Sequence, residues 1–207
     1  MKKIEAYANI EEAMLSLDNG GRFYNLLARA NNKVITQAEL GKVAGLFNDK
    51  QKMMLYLEMV LSNLSAGMKG ILLAKLTPEL RQSYDKFKPQ YLKPSEAKES
   101  GVLGNGAIIS GIPFLIDSKT KLSGFIMIPI MAGKTMTMMM IPIMDKYDVY
   151  EMKDDINGEQ FFIAHARSDN KLPQEKITIA GIIKELKADK KEDQPSEKFL
   201  EIVYLLG

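Results

Sequence analysis

The chain has 207 residues, 46% of them hydrophobic and 26% charged, with a net charge of +2; this composition supports a packed core and excludes a disordered chain. Residues 1–92 carry 13 Lys/Arg against 9 Asp/Glu, and residues 93–207 carry 15 against 17, so the halves stand at +4 and −2; neither has the basic excess of a nucleic-acid-binding domain. The absence of cysteine excludes disulfides, thiolate catalysis, zinc ribbons and iron–sulfur clusters.

At the N-terminus, Met1-Lys-Lys3 leads into a polar, acidic stretch where a signal peptide has its apolar core. A soluble, cytoplasmic protein is the expectation. Asn9-Ile-Glu-Glu12 reads as a capping box opening a helix that ends at Leu17, before Asp18-Asn-Gly-Gly21. A second helix fits residues 22–30, stopped by Asn31-Asn32. Thr36-Gln-Ala-Glu39 is another capping box, with a helix through Phe47. Asn48 or Asp49 caps a fourth helix, whose apolar residues Met53, Leu57, Val60, Leu61 and Leu64 keep helical spacing. Thr77-Pro78-Glu79 places a cap and a first-turn proline before a helix ending by Phe87.

Pro89, Pro94, Gly101, Gly104 and Gly106 then mark a change of character. Beyond them the apolar period is two. Residues 124–144 hold one charge, Lys134, and are interrupted by Pro129, Gly133 and Pro142. They read as a β-hairpin turning at Met131-Ala-Gly-Lys-Thr135 and not as a membrane helix. Met136, Met138 and Met140 alternate with Thr135, Thr137 and Met139, so the face of Met136, Met138 and Met140 is expected in the core and the other partly exposed. Strands at 147–153 and 160–166 flank Asn157-Gly158, a hairpin signal. Strands at 176–187 and 199–206 follow, separated by a charged loop at 189–197.

Two resemblances stand on these residues. Strand 161–166, then Leu172-Pro173 and Lys176, then Ile177-Thr-Ile-Ala-Gly181, a loop and a last strand are similar to the third to fifth strands of OB-fold barrels, over roughly residues 135–206. The resemblance implies a barrel in which Gly181 relieves crowding where its strand bends. Residues 22–47 resemble a degenerate EF-hand, with Ile35-Thr-Gln-Ala-Glu39-Leu as the back of the loop. Ala28, Ala30 and Lys33 then stand at the first, third and glycine positions, which supply no calcium ligands.

Catalytic motifs are incomplete. Gly133-Lys-Thr135 lacks the glycine a phosphate loop needs five residues earlier, where Ile128 stands. Ser118–Lys121 and Ser168-Asp-Asn170 mimic two motifs of serine β-lactamases, but Ser-x-x-Lys occurs four times in this chain. His165, the single histidine, excludes a multi-histidine metal site and leaves one possible general base; period two sets it beside Arg167 and Asp169.

The expectation is therefore an α+β chain: a helical N-terminal domain at 1–92, a Gly/Pro-containing junction at 93–106, and a small antiparallel OB-like β-barrel at 107–207. Its expected role is non-enzymatic binding of a protein or small apolar ligand through a methionine-lined surface or pocket, without cofactor, metal or membrane. Candidate contact residues are Met136, Met138, Met140, Tyr150, Phe162, His165 and Arg167. The alternative is single-stranded nucleic-acid binding, with Arg167, Lys171 and Lys176 beside Tyr150, Phe161 and Phe162, although the charge of this half disfavours it. A third reading is an enzyme using His165.

Overall fold

The computed structural model describes residues 1–20, 31–116, 124–132, 135–153, 160–167, 170–186 and 197–207. The expected helix at 22–30, the turns at Gly133-Lys134 and Asn157-Gly158, the Ser118 motif, Asp169 and the loop at 189–196 lie outside these residues. The chain divides into two compact units, Lys2–Gln90 with Tyr204–Gly207, and Tyr91–Val203 with Met1.

The first unit is helical. A short strand β1 (Lys2–Ile4) precedes α1 (Ile10–Leu17), α2 (Gln37–Ala44), α3 (Lys50–Val60), α4 (Ala66–Leu73) and α5 (Pro78–Phe87). The caps follow the sequence. The amides of Glu12, Glu39, Lys52 and Leu80 donate to the side chains of Asn9, Thr36, Asp49 and Thr77. Helix α2 ends at Ala44 and not at Phe47, because Gly45 takes a left-handed φ of 74°. Helix α3 is the centre of the unit: every residue from Met53 to Val60 is buried, as in a helix enclosed on all sides. It closes at Val60, short of Leu64, and α4 follows as a separate helix capped by Ser65. Within α3 the buried carboxylate of Glu58 accepts a hydrogen bond from the Tyr84 hydroxyl of α5.

The residues aligned with an EF-hand do other work. Glu39 is 1% exposed. One of its carboxylate oxygens accepts from the Thr36 amide at 2.8 Å and the Thr36 hydroxyl at 2.9 Å, and the other from the Gly20 amide at 3.1 Å. An isothermal titration with calcium is therefore expected to give no binding heat, unchanged in Glu39→Gln. Micromolar binding lost in that variant would reinstate the ion site.

The second unit carries β2 (Gln90–Leu92), α6 (Pro94–Ser100), β3 (Gly106–Leu115), β4 (Phe125–Ala132), β5 (Thr135–Pro142), α7 (Ile143–Lys146), β6 (Tyr147–Lys153), β7 (Gln160–Ala166), β8 (Ile177–Leu186) and, as far as Val203, β9 (Glu197–Leu206). Helix α6 occupies part of the expected junction and packs on β3, β6 and β7, with Pro94 in its first turn. Five strands close a barrel in the order β3-β6-β7-β9-β8 and back to β3. Strand β3 pairs with β8 over Gly106–Gly111 and with β6 over Ile112–Leu115. The expected all-antiparallel barrel is corrected at one pairing: β9 runs parallel to β7, with Phe162 opposite Phe199 and Ala164 opposite Glu201. The cause is its place in the order, since a strand inserted between β7 and β8 can oppose only one of them. A β-carbon at Gly181 of β8 would collide with the Glu201 carbonyl oxygen of β9, so the glycine admits a neighbouring backbone. Strands β4 and β5 form a separate two-stranded sheet outside the barrel, and β5 falls within the region aligned with OB-fold strands.

Candidate functional site

The hairpin β4–β5 interrupts the chain between the first two barrel strands, β3 and β6. Its base is rooted in the core. The Ile143 amide donates to the Gly124 carbonyl at 3.0 Å. Ile126, Ile143 and Met144 join a buried cluster with Ile116, Val149, Ala164, Leu186 and Phe199. Further out the surroundings change. The register sets Met127 opposite Met140, Pro129 opposite Met138 and Met131 opposite Met136. By the two-residue alternation of a strand, these positions share one side of the hairpin. Met136 is 67% exposed and Met140 42%; on the other side Met139 is 48% exposed. The hairpin reading holds, but the expected burial of the Met136 and Met140 face is corrected. Both sides of the hairpin are apolar, so the alternation gave no sign of which side, if either, met the core.

Beside the hairpin base is a cavity of about 290 Å³, lined by Leu115 and Ile116 at the end of β3, Met144 of α7, Tyr147, Asp148 and Val149 of β6, and Arg167 and Lys171 beyond β7. The Asp148 side chain is only 7% exposed and pairs with Lys171 at 2.7 Å, with the Arg167 Nε at 3.8 Å. The Arg167 guanidinium also donates to the Met144 carbonyl. A buried carboxylate thus has two cations at its mouth, both about half exposed, a pairing that stabilises it against its loss of water. At the cavity wall the Tyr147 hydroxyl donates to Glu201; burial and that carboxylate hold its phenol well above the usual range.

Tyr150 and His165 do come together, but inside the barrel. Their rings stack at 5.7 Å and an interplanar angle of 24°, and they are 2% and 1% exposed. His165 Nδ1 lies 2.8 Å from the Ala166 carbonyl, which can only accept, so this nitrogen carries a proton; Nε2 lies 3.5 Å from the Tyr150 hydroxyl. The Leu172 amide donates to that hydroxyl at 3.1 Å. Burial raises the Tyr150 phenol above its ordinary value, and this amide partly offsets the rise. The pair locks the segment after β7 onto the barrel, with His165 enclosed.

Phe162 is half-buried against the cluster at the hairpin base, and Phe161 is 2% exposed. With Tyr150 enclosed as well, the aromatic rings considered for stacking on bases offer little open face. Binding of a single-stranded oligonucleotide is accordingly expected to be weaker than about 1 μM at physiological salt and to fall steeply as salt rises; a fluorescence anisotropy titration checks it. The residue missed in the sequence is Asp148, an acidic side chain at an inward position of the strand Tyr-Asp-Val-Tyr-Glu-Met-Lys, and that parity was its only signal.

In the helical unit a cleft of about 450 Å³ is lined mainly by Ile10, Met14, Leu15 and Ile71, with Asp18, Lys33 and Lys75 at its border. Asp18 is committed within the unit: its carboxylate accepts from the amides of Asn32 and Lys33 at 3.2 and 2.6 Å. Among the described residues no group of three or more His, Asp or Glu is placed to hold a metal ion, and no helix is long and apolar enough to cross a membrane. No family model matches the chain, and no curated protein matches it.

Proposed function

We propose that the barrel unit is an OB-type binding module. Its working surface is the methionine side of the hairpin β4–β5, and its occupant is an apolar patch of a protein or a small apolar ligand. The observation that carries this reading is the exposure of Met136 and Met140 on a hairpin whose sixteen strand residues, Phe125–Ala132 and Thr135–Pro142, include no charge. Methionine suits such a surface because its unbranched, polarisable side chain adapts to varied shapes, and an exposed apolar patch marks a contact site. The strand order 1-2-3-5-4, numbered along the barrel, supports the OB assignment. So does the placement of the hairpin between the first and second strands, where such barrels carry a binding loop.

Titration of the folded chain with the apolar dye anilinonaphthalene sulfonate tests the surface. The double variant Met136→Gln/Met140→Gln is expected to bind the dye at least about tenfold more weakly, a loss of 1.4 kcal/mol, with unchanged circular dichroism. Equal affinity in the two proteins would move the site elsewhere.

A further inference from the structure

The edge of the same hairpin, as distinct from its face, has its own chemistry. Among the described residues β4 and β5 pair only with each other, so each has an outer edge of unpaired N–H and C=O groups, a template for another strand. The two edges differ. The Ile143 amide donates to the Gly124 carbonyl, one step before the pair Phe125 and Pro142. In an antiparallel ladder, hydrogen-bonded and non-hydrogen-bonded pairs alternate. The odd-numbered residues of β5 therefore turn their backbone groups toward β4, and Met136, Met138 and Met140 turn theirs outward. The same alternation turns Met127, Pro129 and Met131 of β4 outward. Pro129 has no N–H and interrupts that edge at its middle. No residue from Thr135 to Ile141 is proline or charged, so the outward positions Met136, Met138 and Met140 all keep their N–H, and only Pro142 at the end of the strand lacks one.

We infer that β5 is a dimerisation edge and that its occupant is β5 of a second copy of this chain, antiparallel about a two-fold axis through Met138. The outward positions carry methionine symmetrically on either side of that point, so Met136 meets Met140 of the second copy and Met138 meets its own equivalent. An isologous contact must be self-complementary, and the uncharged strand sets no like charges opposite one another. The paired hairpins form a four-stranded sheet with both methionine sides on one surface. The inference does not depend on what that surface binds, and the dye titration reports on the face alone.

The cysteine-free chain makes the test direct. Sedimentation of the full chain is expected to show a monomer–dimer equilibrium. Met138→Pro removes an outward donor without touching the ladder to β4, and is expected to weaken dimerisation at least tenfold. In Met138→Cys the two introduced residues would face each other as a hydrogen-bonded pair, with Cα atoms about 5.5 Å apart, within disulfide reach. Mild oxidation should link them. Met139→Cys places the equivalents diagonally at about 7–8 Å, and should link at least tenfold more slowly. A monomer at every attainable concentration would overturn the inference, as would equal linking rates for the two cysteine variants. If Met138→Pro loses its native circular dichroism, the cysteine pair decides; if it stays folded and dimerises undiminished, the edge is not the interface.

Discussion

Between about pH 10 and pH 12 the protein is expected to lose its stability in one steep transition. Four tyrosines carry most of the effect, and the raised phenol of Tyr150 acts in the same direction. Burial raises the phenols of Tyr56, Tyr84, Tyr147 and Tyr204, and Tyr204 reaches about 12. Neighbours add to burial: the Tyr7 hydroxyl beside Tyr56, the carboxylates of Glu58 beside Tyr84 and Glu201 beside Tyr147, and Asp49 near Tyr204. An unfolded tyrosine ionises near 10. Below that pH both states hold the proton and stability does not depend on it. Above it the unfolded chain releases protons that the folded chain keeps, so stability falls with rising pH until the folded values are passed. Each group contributes about 1.4 kcal/mol per pH unit in this window, and four together remove several kcal/mol by pH 11, comparable with the whole stability of a domain. Far-ultraviolet dichroism and phenolate absorbance followed together check this. These tyrosines should ionise with the loss of helix; phenolate appearing in full near pH 10 with the dichroism unchanged would show that the hydroxyls are not enclosed.

Gly181→Ala is expected to destabilise the barrel by about 3 kcal/mol, at the upper end of overpacking costs. The added methyl meets the carbonyl oxygen and carbon of Glu201 and the Leu200 side chain. A backbone group held by the β7–β9 ladder cannot rotate away as a flexible side chain would. Gly67→Ala and Gly70→Ala are the controls. Both lie in α4, and a β-carbon at either has no neighbour within 4 Å. Each should stabilise by about 0.5–1 kcal/mol through helix propensity. Urea unfolding of the three variants compares them. An equal, small effect at Gly181 would mean that β8 and β9 lie further apart there than the barrel requires.

The parts of the fold legible in the sequence are those that local chemistry determines. Thr36 with Glu39, and Thr77 with Pro78, announce helix starts because a side chain must satisfy a first-turn amide wherever the helix lies. Helix α4 escaped because Gly67 and Gly70 depress its helical signal, and α6 because Pro94 reads as a breaker although it fills the tolerated first turn. Strand character was legible from alternation in β5, β6 and β7. Partner choice was not: nothing in the order of residues 160–166 shows that Phe199 will lie alongside Phe162 in parallel. The candidate site divides in the same way. The hairpin and its methionines could be read directly, whereas the exposure of Met136 and the enclosure of His165 depend on what the remaining strands cover.

The position of β9 between β7 and β8 also sets an order of events during synthesis. Strands β3, β6, β7 and β8 leave the ribosome before it and can pair as an open four-stranded sheet. In that intermediate β7 and β8 both lie at free borders, and Leu200, which ends with no exposure at all, has not yet arrived to fill the interior. The nascent chain must hold these borders apart from other chains while residues 187–196, most of them charged or polar, are translated. Closure is then a single late insertion along two strands at once, and a pause in translation ahead of Glu197 would lengthen the interval in which the sheet is most open to misassembly.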